Sequence, residues 1–203
     1  MTQLPLSLGN HKLPKTTAIF NIGPAMTCAA RVLGLCQLDT LGIGSHKCYA
    51  LKAERMRPRV LAYRIRQTDV WDSGILLTEL AGWLDKHSRV DTIRLNESGD
   101  FRHQQDVDTL GQLALHVEAC SKDWRIPRSI QWYCYTARND LDYSRLPELV
   151  TVNGSGFMVH NEYRVIVPGK PATEDPEIVC PGSCKLCRLC ITRHNRTIGA
   201  RVH

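Results

Sequence analysis

A chain of 203 residues with 43% hydrophobic and 23% charged side chains is long and apolar enough to bury a sizeable core. No run approaches the ~20 apolar residues that span a membrane, and there is no solenoid-period repeat or low-complexity tract, which excludes transmembrane-helix, repeat and disordered classes. The formal net charge is +6, and it is unevenly spread. Lys185, Arg188, Arg193, Arg196 and Arg201 follow Cys184 with no acidic residue among them, and Lys52, Arg55, Arg57, Arg59, Arg64 and Arg66 form a second run broken only by Glu54, leaving the rest slightly acidic.

In chain order, Thr17–Ile22 (TAIFNI) reads as a strand that Gly23-Pro24 ends. A long loop follows, with Cys28, Cys36 and Cys48 and glycines at 34, 42 and 44. The spacing predicts a helix from about Tyr49 to Val70, which Pro58 restarts or kinks. A second helix is predicted over Ser73–His87, where Ile75, Leu76, Leu80 and Leu84 share one face. Val90–Leu95 is a strand running into NESGDF, and Asp106–Cys120 is an amphipathic helix. Further strands are expected at Ile130–Tyr135, Leu149–Val152 and Tyr163–Val167. Alternating strands and helices predict an α/β fold, either a partial (β/α) barrel or an open, mostly parallel sheet with a Cys-rich C-terminal loop. About five strands fall short of the eight of a closed barrel. We expect one α/β domain over residues 1–177, with a Cys-rich loop at 28–48. Residues 178–203 form a Cys-rich, basic extension packed on the same domain.

Four cysteines crowd into CPGSCKLCRLC: Cys180, Cys184, Cys187 and Cys190. The opening MTQLPLSLGN has neither a basic leader nor an apolar h-region, which predicts a reducing, cytoplasmic compartment, where metal ligation outweighs disulfides. Structural zinc normally uses two separated pairs, whereas the C-x3-C-x2-C-x2-C run forms one tight loop. Such a loop suits a [4Fe–4S] cluster better, with zinc as the alternative metal. Cys28, Cys36 and Cys48 join the candidate ligands, giving one or two clusters. His46 and His203 are ambiguous further ligands. Cys120 and Cys134 have apolar neighbours and are expected in the core, as are Trp124 and Trp132.

In a parallel sheet, ligands collect at the carboxyl ends of the strands. Glu97, Ser98, Gly99 and Asp100 follow the second strand and are candidate cofactor-binding residues, with acid/base work or a grip on an amine open to the carboxylates. A tight Ser-Gly-Asp turn, with Asp100 capping the next helix, explains the same residues structurally. Arg138 and Asn139 meet either a carboxylate or phosphate, or a turn. No Ser–His–Asp set, P-loop or dinucleotide fingerprint is present. The basic runs read as a nucleic-acid surface, as charge balance for a cluster, or as solvated faces; those at 52–66 lack the aromatic interleaving of a single-strand binder.

LSLGNHKL, AIFNIGPAMTC, CYALKAER, RLNESGDF, CYTARN and the terminal cysteines, in that order, resemble the phage gene product 88 family over nearly the whole chain. CYALKAER and ESGDF are the most specific pieces. The family pattern has a histidine where this chain has Asn96, and a shorter interval before the CYA cysteine, which implies an insertion around 37–46. The resemblance implies a phage or mobile-element origin and cysteine-bound iron–sulfur chemistry. A more distant similarity is architectural: radical S-adenosylmethionine enzymes place three cluster cysteines after their first strand and a glycine- and glutamate-containing motif after the second. Many add a C-terminal cluster. Here the first spacing is C-x7-C-x11-C rather than C-x3-C-x2-C. Three function classes follow: an iron–sulfur protein with an enzymatic role, the reductive activation of a bound cofactor for which S-adenosylmethionine is the candidate; a metal-stabilised nucleic-acid binder; and a phage or host-interaction protein with a structural metal. No membrane partner is expected.

Overall fold

The computed structural model describes residues 4–44, 47–166, 176–185 and 187–201. Its strands are β1 (Ser7–Leu8), β2 (Thr17–Phe20), β3 (Thr92–Leu95), β4 (Gln131–Thr136), β5 (Val150–Ser155), β6 (Asn161–Ile166), β7 (Ile178–Val179) and β8 (Thr197–Arg201). They form one open sheet in the order β1-β2-β3-β4-β5-β6-β8-β7, and every pairing except β1 with β2 is parallel. The expected α/β class therefore holds, in its open rather than barrel-closed form.

The helices are α1 (Ala29–Val32), α2 (Gln37–Thr40), α3 (Tyr49–Met56), α4 (Pro58–Asp72), α5 (Leu76–Lys86) and α6 (Gln104–Ser121). The helix expected over 49–70 is two helices. Arg57 is extended, at φ −137° and ψ 90°, and Pro58 occupies the first turn of α4, as its fixed φ and missing N–H favour. Helix α5 begins at Leu76, later than Ser73, after Gly74 adopts φ +70°. The loop of residues 28–48 contains the one-turn helices α1 and α2. Strands β1, β7 and β8 had no counterpart in the sequence reading, being two residues long or, for β8, placed in the basic tail.

Strand alternation divides the sheet into two unlike faces. Ala18, Phe20, Ile93, Leu95, Trp132, Cys134, Val150 and Val152 point into the core, where α5 (Leu80, Leu84), α6 (Leu110, Leu113, Val117) and Trp71 of α4 cover them. Cys134 and Trp132 are fully buried there, and Trp124 and Cys120 pack with the same cluster. The opposite parity, Thr92, Arg94, Tyr133, Tyr135, Thr151 and Asn153, gives a polar and aromatic face.

The crossover from β5 to β6 is unusually short. Parallel strands ordinarily need a dozen or more connecting residues; here 156–160 suffice, with Asn153 paired to Asn161. Two devices close it. Gly154 leaves no room for a side chain, since a Cβ there would sit 2.2 Å from the Phe157 carbonyl oxygen. The His160 Nδ1 accepts the Val152 N–H at 3.0 Å while the His160 N–H donates to the Val152 oxygen at 3.2 Å. Burial holds the imidazole neutral, its pKa pulled down to about 4, as that acceptor role requires.

Gly154→Ala should therefore cost about 1–3 kcal/mol by overpacking. Gly82→Ala, in the middle of α5 where a Cβ meets open space, should gain about 0.5–1 kcal/mol. Urea unfolding of both variants checks the pair, and equal effects would contradict the crossover geometry.

Candidate functional site

The two most specific sequence segments, CYALKAER and ESGDF, meet in space. Glu54 of α3 is 2% exposed, and its carboxylate accepts the N–H groups of Ala25 and Met26 at 2.7 and 2.9 Å, the Ser98 hydroxyl at 3.0 Å and Arg64 at 2.7 Å. Burial opposes the charge, and these four donors outweigh it, so the carboxyl lies below its ordinary pKa. Arg64 also donates to the Ala50 oxygen at 3.0 Å. Beside this pair, Asn21 accepts the Ser98 N–H at 2.7 Å and donates to Gln67 at 2.8 Å, and Gln67 donates to the Pro5 oxygen at 2.7 Å.

The four residues after β3 have distinct placements. Ser98 is engaged with Glu54 and Asn21. Gly99, at φ +74°, passes the Gly23 backbone so closely that a Cβ would lie 2.3 Å from the Gly23 oxygen. Asp100 does not cap α6, whose first residue follows an uncapped His103. It reaches instead to the end of β4, accepting from the Thr136 hydroxyl at 2.6 Å and the Ala137 N–H at 2.8 Å. Its burial outweighs these donors and lifts its pKa from 3.8 to about 6. Glu97 alone presents its carboxylate at the surface of this turn, accepting from Asn10 at 2.7 Å, while its backbone oxygen accepts the Tyr49 hydroxyl at 2.6 Å. Asn96, where the family pattern has histidine, sits at φ 56° and accepts the Ile22 N–H at 3.3 Å, a left-handed position that asparagine tolerates.

Cys28, Cys36 and Cys48 each occupy the residue that opens a helix: α1, α2 and α3. Burial pushes the Cys28 thiol up to about 12 and raises that of Cys36. No cap hydrogen bond closes, yet nearby backbone N–H groups favour both thiolates electrostatically. Cys36 lies within electrostatic reach of Cys28 and of Cys48. The loop is carried across to β6 by Gln37, whose amide donates to the Tyr163 oxygen at 2.8 Å and accepts the Val165 N–H at 2.9 Å, in the manner of a strand.

The terminal cysteine segment lies on the polar face. Asn153 donates to the Cys190 oxygen at 2.9 Å, Thr151 to the Ile191 oxygen at 2.8 Å, and Asn161 to the Thr192 oxygen at 2.9 Å. The Cys184 N–H donates to the Lys12 oxygen at 3.1 Å, and the Cys180 N–H to the Gly199 oxygen at 2.7 Å. Burial pushes the Cys190 thiol up to about 12, while the neighbouring Tyr135 hydroxyl favours its thiolate and Cys180, Cys184 and Cys187 oppose it. Among the described residues, no three His, Cys, Asp or Glu side chains converge closely enough to hold a metal ion as they stand. His46 and His203 lie outside the described residues.

Several side chains at this face escaped the sequence reading. Arg94, Tyr133 and Tyr135 share one face by strand alternation, and with Tyr49 and Tyr163 they stand between the two cysteine groups. Tyr135 meets Tyr133 and Tyr163 edge-on, with centroids 6.2 and 4.9 Å apart. Arg138 is engaged internally, with Asp140 at 2.7 Å and the Phe101 and Arg102 oxygens at 2.6 and 2.8 Å. The basic runs are also less free than they read. Arg193 donates to the oxygens of Val150 and Pro147 at 2.7 and 2.6 Å, and Arg196 faces Glu177 at 3.9 Å. Lys52, Arg55, Arg57, Arg59 and Arg66 are exposed around the buried Arg64. Among the described residues, no helix is long and apolar enough to cross a membrane.

Glu54→Gln leaves Arg64 buried without its counter-charge and should cost about 3–5 kcal/mol; chemical denaturation measures it, and a loss under about 1 kcal/mol would contradict the hub. Asp100 has the opposite pH signature. Its folded pKa is raised, so its contribution is full below about pH 4 and declines as pH rises through about 6, by at most about 3 kcal/mol. Asp100→Asn removes that dependence. Its stability relative to the parent should therefore improve across this window, as denaturation midpoints at successive pH values would record.

The gene product 88 family model matches residues 3–152, a stretch holding Cys28, Cys36, Cys48 and the Glu97–Asp100 turn. The match is narrower than the near-complete extent expected from the motifs, because the terminal cysteines lie beyond it. No curated protein and no solved structure matches the chain significantly. With about three quarters of its length inside that model, including the Glu54–Ser98 junction, the chain belongs to the gene product 88 family, a phage-type family.

Proposed function

We propose that this phage-type protein binds iron–sulfur clusters, with Cys180, Cys184, Cys187 and Cys190 as ligands of a [4Fe–4S] centre and Cys28, Cys36 and Cys48 as ligands of a second. The observation that carries the reading is the crowding of four cysteines into CPGSCKLCRLC, on a segment that Thr151, Asn153 and Asn161 tie to the polar face. Soft thiolates in this number suit iron–sulfur clusters. Metal binding would also remove the protons that burial makes costly to lose, coupling assembly of the site to ligation.

A bound cluster supplies one-electron chemistry. The three-cysteine group would leave one cluster iron without a protein ligand, the donor count that radical S-adenosylmethionine enzymes use, and Glu97, the partly exposed carboxylate of its turn, would be the side chain to meet such a cofactor. Ser98, Gly99 and Asp100 would support that turn from behind, holding the loop to Glu54, Gly23 and Thr136. The Tyr135 hydroxyl would favour the negative charge of the Cys190 thiolate on the terminal centre.

Anaerobic purification with iron, sulfide and zinc analysis tests the reading. About four irons and four sulfides per chain are expected for one cluster and about eight of each for two. Cys184→Ser should remove only the terminal share, and Cys48→Ser only the other. An EPR change on adding S-adenosylmethionine would assign the cofactor. Stoichiometric zinc without sulfide would overturn the proposal in favour of a zinc-stapled nucleic-acid-binding or host-interaction protein.

A further inference from the structure

Arg94 is unlike the other buried arginines of this fold. Arg64 is saturated by Glu54 and the Ala50 oxygen, and Arg138 by Asp140 and two backbone oxygens. Arg94 has a side chain only 15% exposed, yet among the described residues it makes no hydrogen bond, and its buried Nε–H has no acceptor. Its nearest carboxylate, Glu97, stands 4.0 Å away and already accepts from Asn10. Leaving a buried donor of a charged group unpaired is costly, and an arginine fork is shaped for two-point contact with a planar or tetrahedral oxyanion.

The surroundings complete a receptor. Arg94 lies 5.4 Å over the Tyr135 ring, which the edge-on contacts with Tyr133 and Tyr163 hold in place. Tyr49, Tyr133 and Tyr135 are all within electrostatic reach of the guanidinium. Glu97, whose side chain is 23% exposed, and Tyr49 are the solvent-facing residues beside it.

We propose that Arg94 anchors a small oxyanion-bearing ligand, a carboxylate or a phosphate, on the polar face of the sheet. Its free Nε–H and one terminal nitrogen bind the two oxygens, and the tyrosine wall excludes water behind them. This site does not require a metal, so it stands apart from the cluster reading. It places ligand recognition between the two cysteine groups, in a residue that no motif singled out.

Calorimetry on the anaerobically purified full chain, titrated with inorganic phosphate and with succinate at matched chloride ionic strength, tests it. Saturable binding of one anion is expected, weakened about tenfold or more in Arg94→Gln and partly restored in Arg94→Lys, which keeps the charge but not the fork. The phosphate and succinate arms decide the ligand's class. Circular dichroism and metal content confirm that the variants fold and load as the parent does. No saturable binding of either anion, or equal binding by Arg94→Gln, would overturn the proposal. So would loss of metal from Arg94→Gln without any anion effect, which would make Arg94 a counter-charge for the cysteines. Anion binding by a chain that carries no iron would leave this site standing while the cluster reading fell.

Discussion

The Glu54–Arg64 pair is the constraint on which the site depends, because it joins three segments at one buried carboxylate. One carboxylate binds the backbone at Ala25 and Met26, ahead of Cys28. Its own helix opens at Cys48, and its Oε1 takes the Ser98 hydroxyl from the turn after β3. A buried ion pair contributes little net stability when every partner is present, since desolvation cancels much of the attraction. Its effect is on geometry: each donor has one acceptor, so the loop cannot slide along α3 without leaving a buried group unpaired. The positions of Cys28 and Cys48 are thus tied to Glu54, alongside the small apolar cluster of Ala25, Ala50 and Leu51 against which Cys48 packs.

The sheet supplies the second constraint. An eight-stranded sheet with helices on only one face would leave its other side wet unless something lies over it. Here that cover is the chain's own cysteine-rich tail, held through Thr151, Asn153 and Asn161 rather than through apolar contacts. Because side chains from two parallel strands, β5 and β6, bond to backbone oxygens of the tail, the tail's register is fixed to the sheet. Tyr135, on the same face, neighbours Cys190. The polar residues of this face are therefore structural and chemical at once: they order the thiols and set the electrostatic environment in which the thiols ionise.

Much of the architecture was legible because it follows from periodicity. The strands at TAIF, TIRL and QWYCYT, the placement of Cys134 and Trp132 in the core, and the restart at Pro58 all come from patterns of two and 3.6 residues or from one ring's geometry. The missed strands failed for physical reasons. Strands β1 and β7 are two residues long, and β8 carries arginine and glycine at positions where neighbouring strands, not its own composition, make it a strand. Glu54 read as the one relief in a basic run, since nothing in a linear charge pattern shows that its partner is the arginine ten residues on and its other donors are backbone. The 97–100 turn was placed where ligands collect, yet the roles of Ser98, Gly99 and Asp100 emerge only from their long-range partners. Arg94 could have been found by carrying the strand alternation one step further, to ask which residues share a face with Tyr133.

Burial decides how the two cysteine groups can behave. Desolvation raises the thiols of Cys28, Cys36, Cys184 and Cys190, so in the folded chain the protonated forms are favoured unless positive charge arrives. Arg94 and Lys12 already pull Cys184 the other way, whereas Cys28 has Asp100 beside it and is pushed further up. The two groups are nonetheless alike in what ligation demands: Cys28 and Cys190 are both pushed up to about 12, so in each group ligation must remove a proton that burial holds in place. Asp100 is itself pushed toward protonation by its burial, which lessens the negative charge it presents to Cys28.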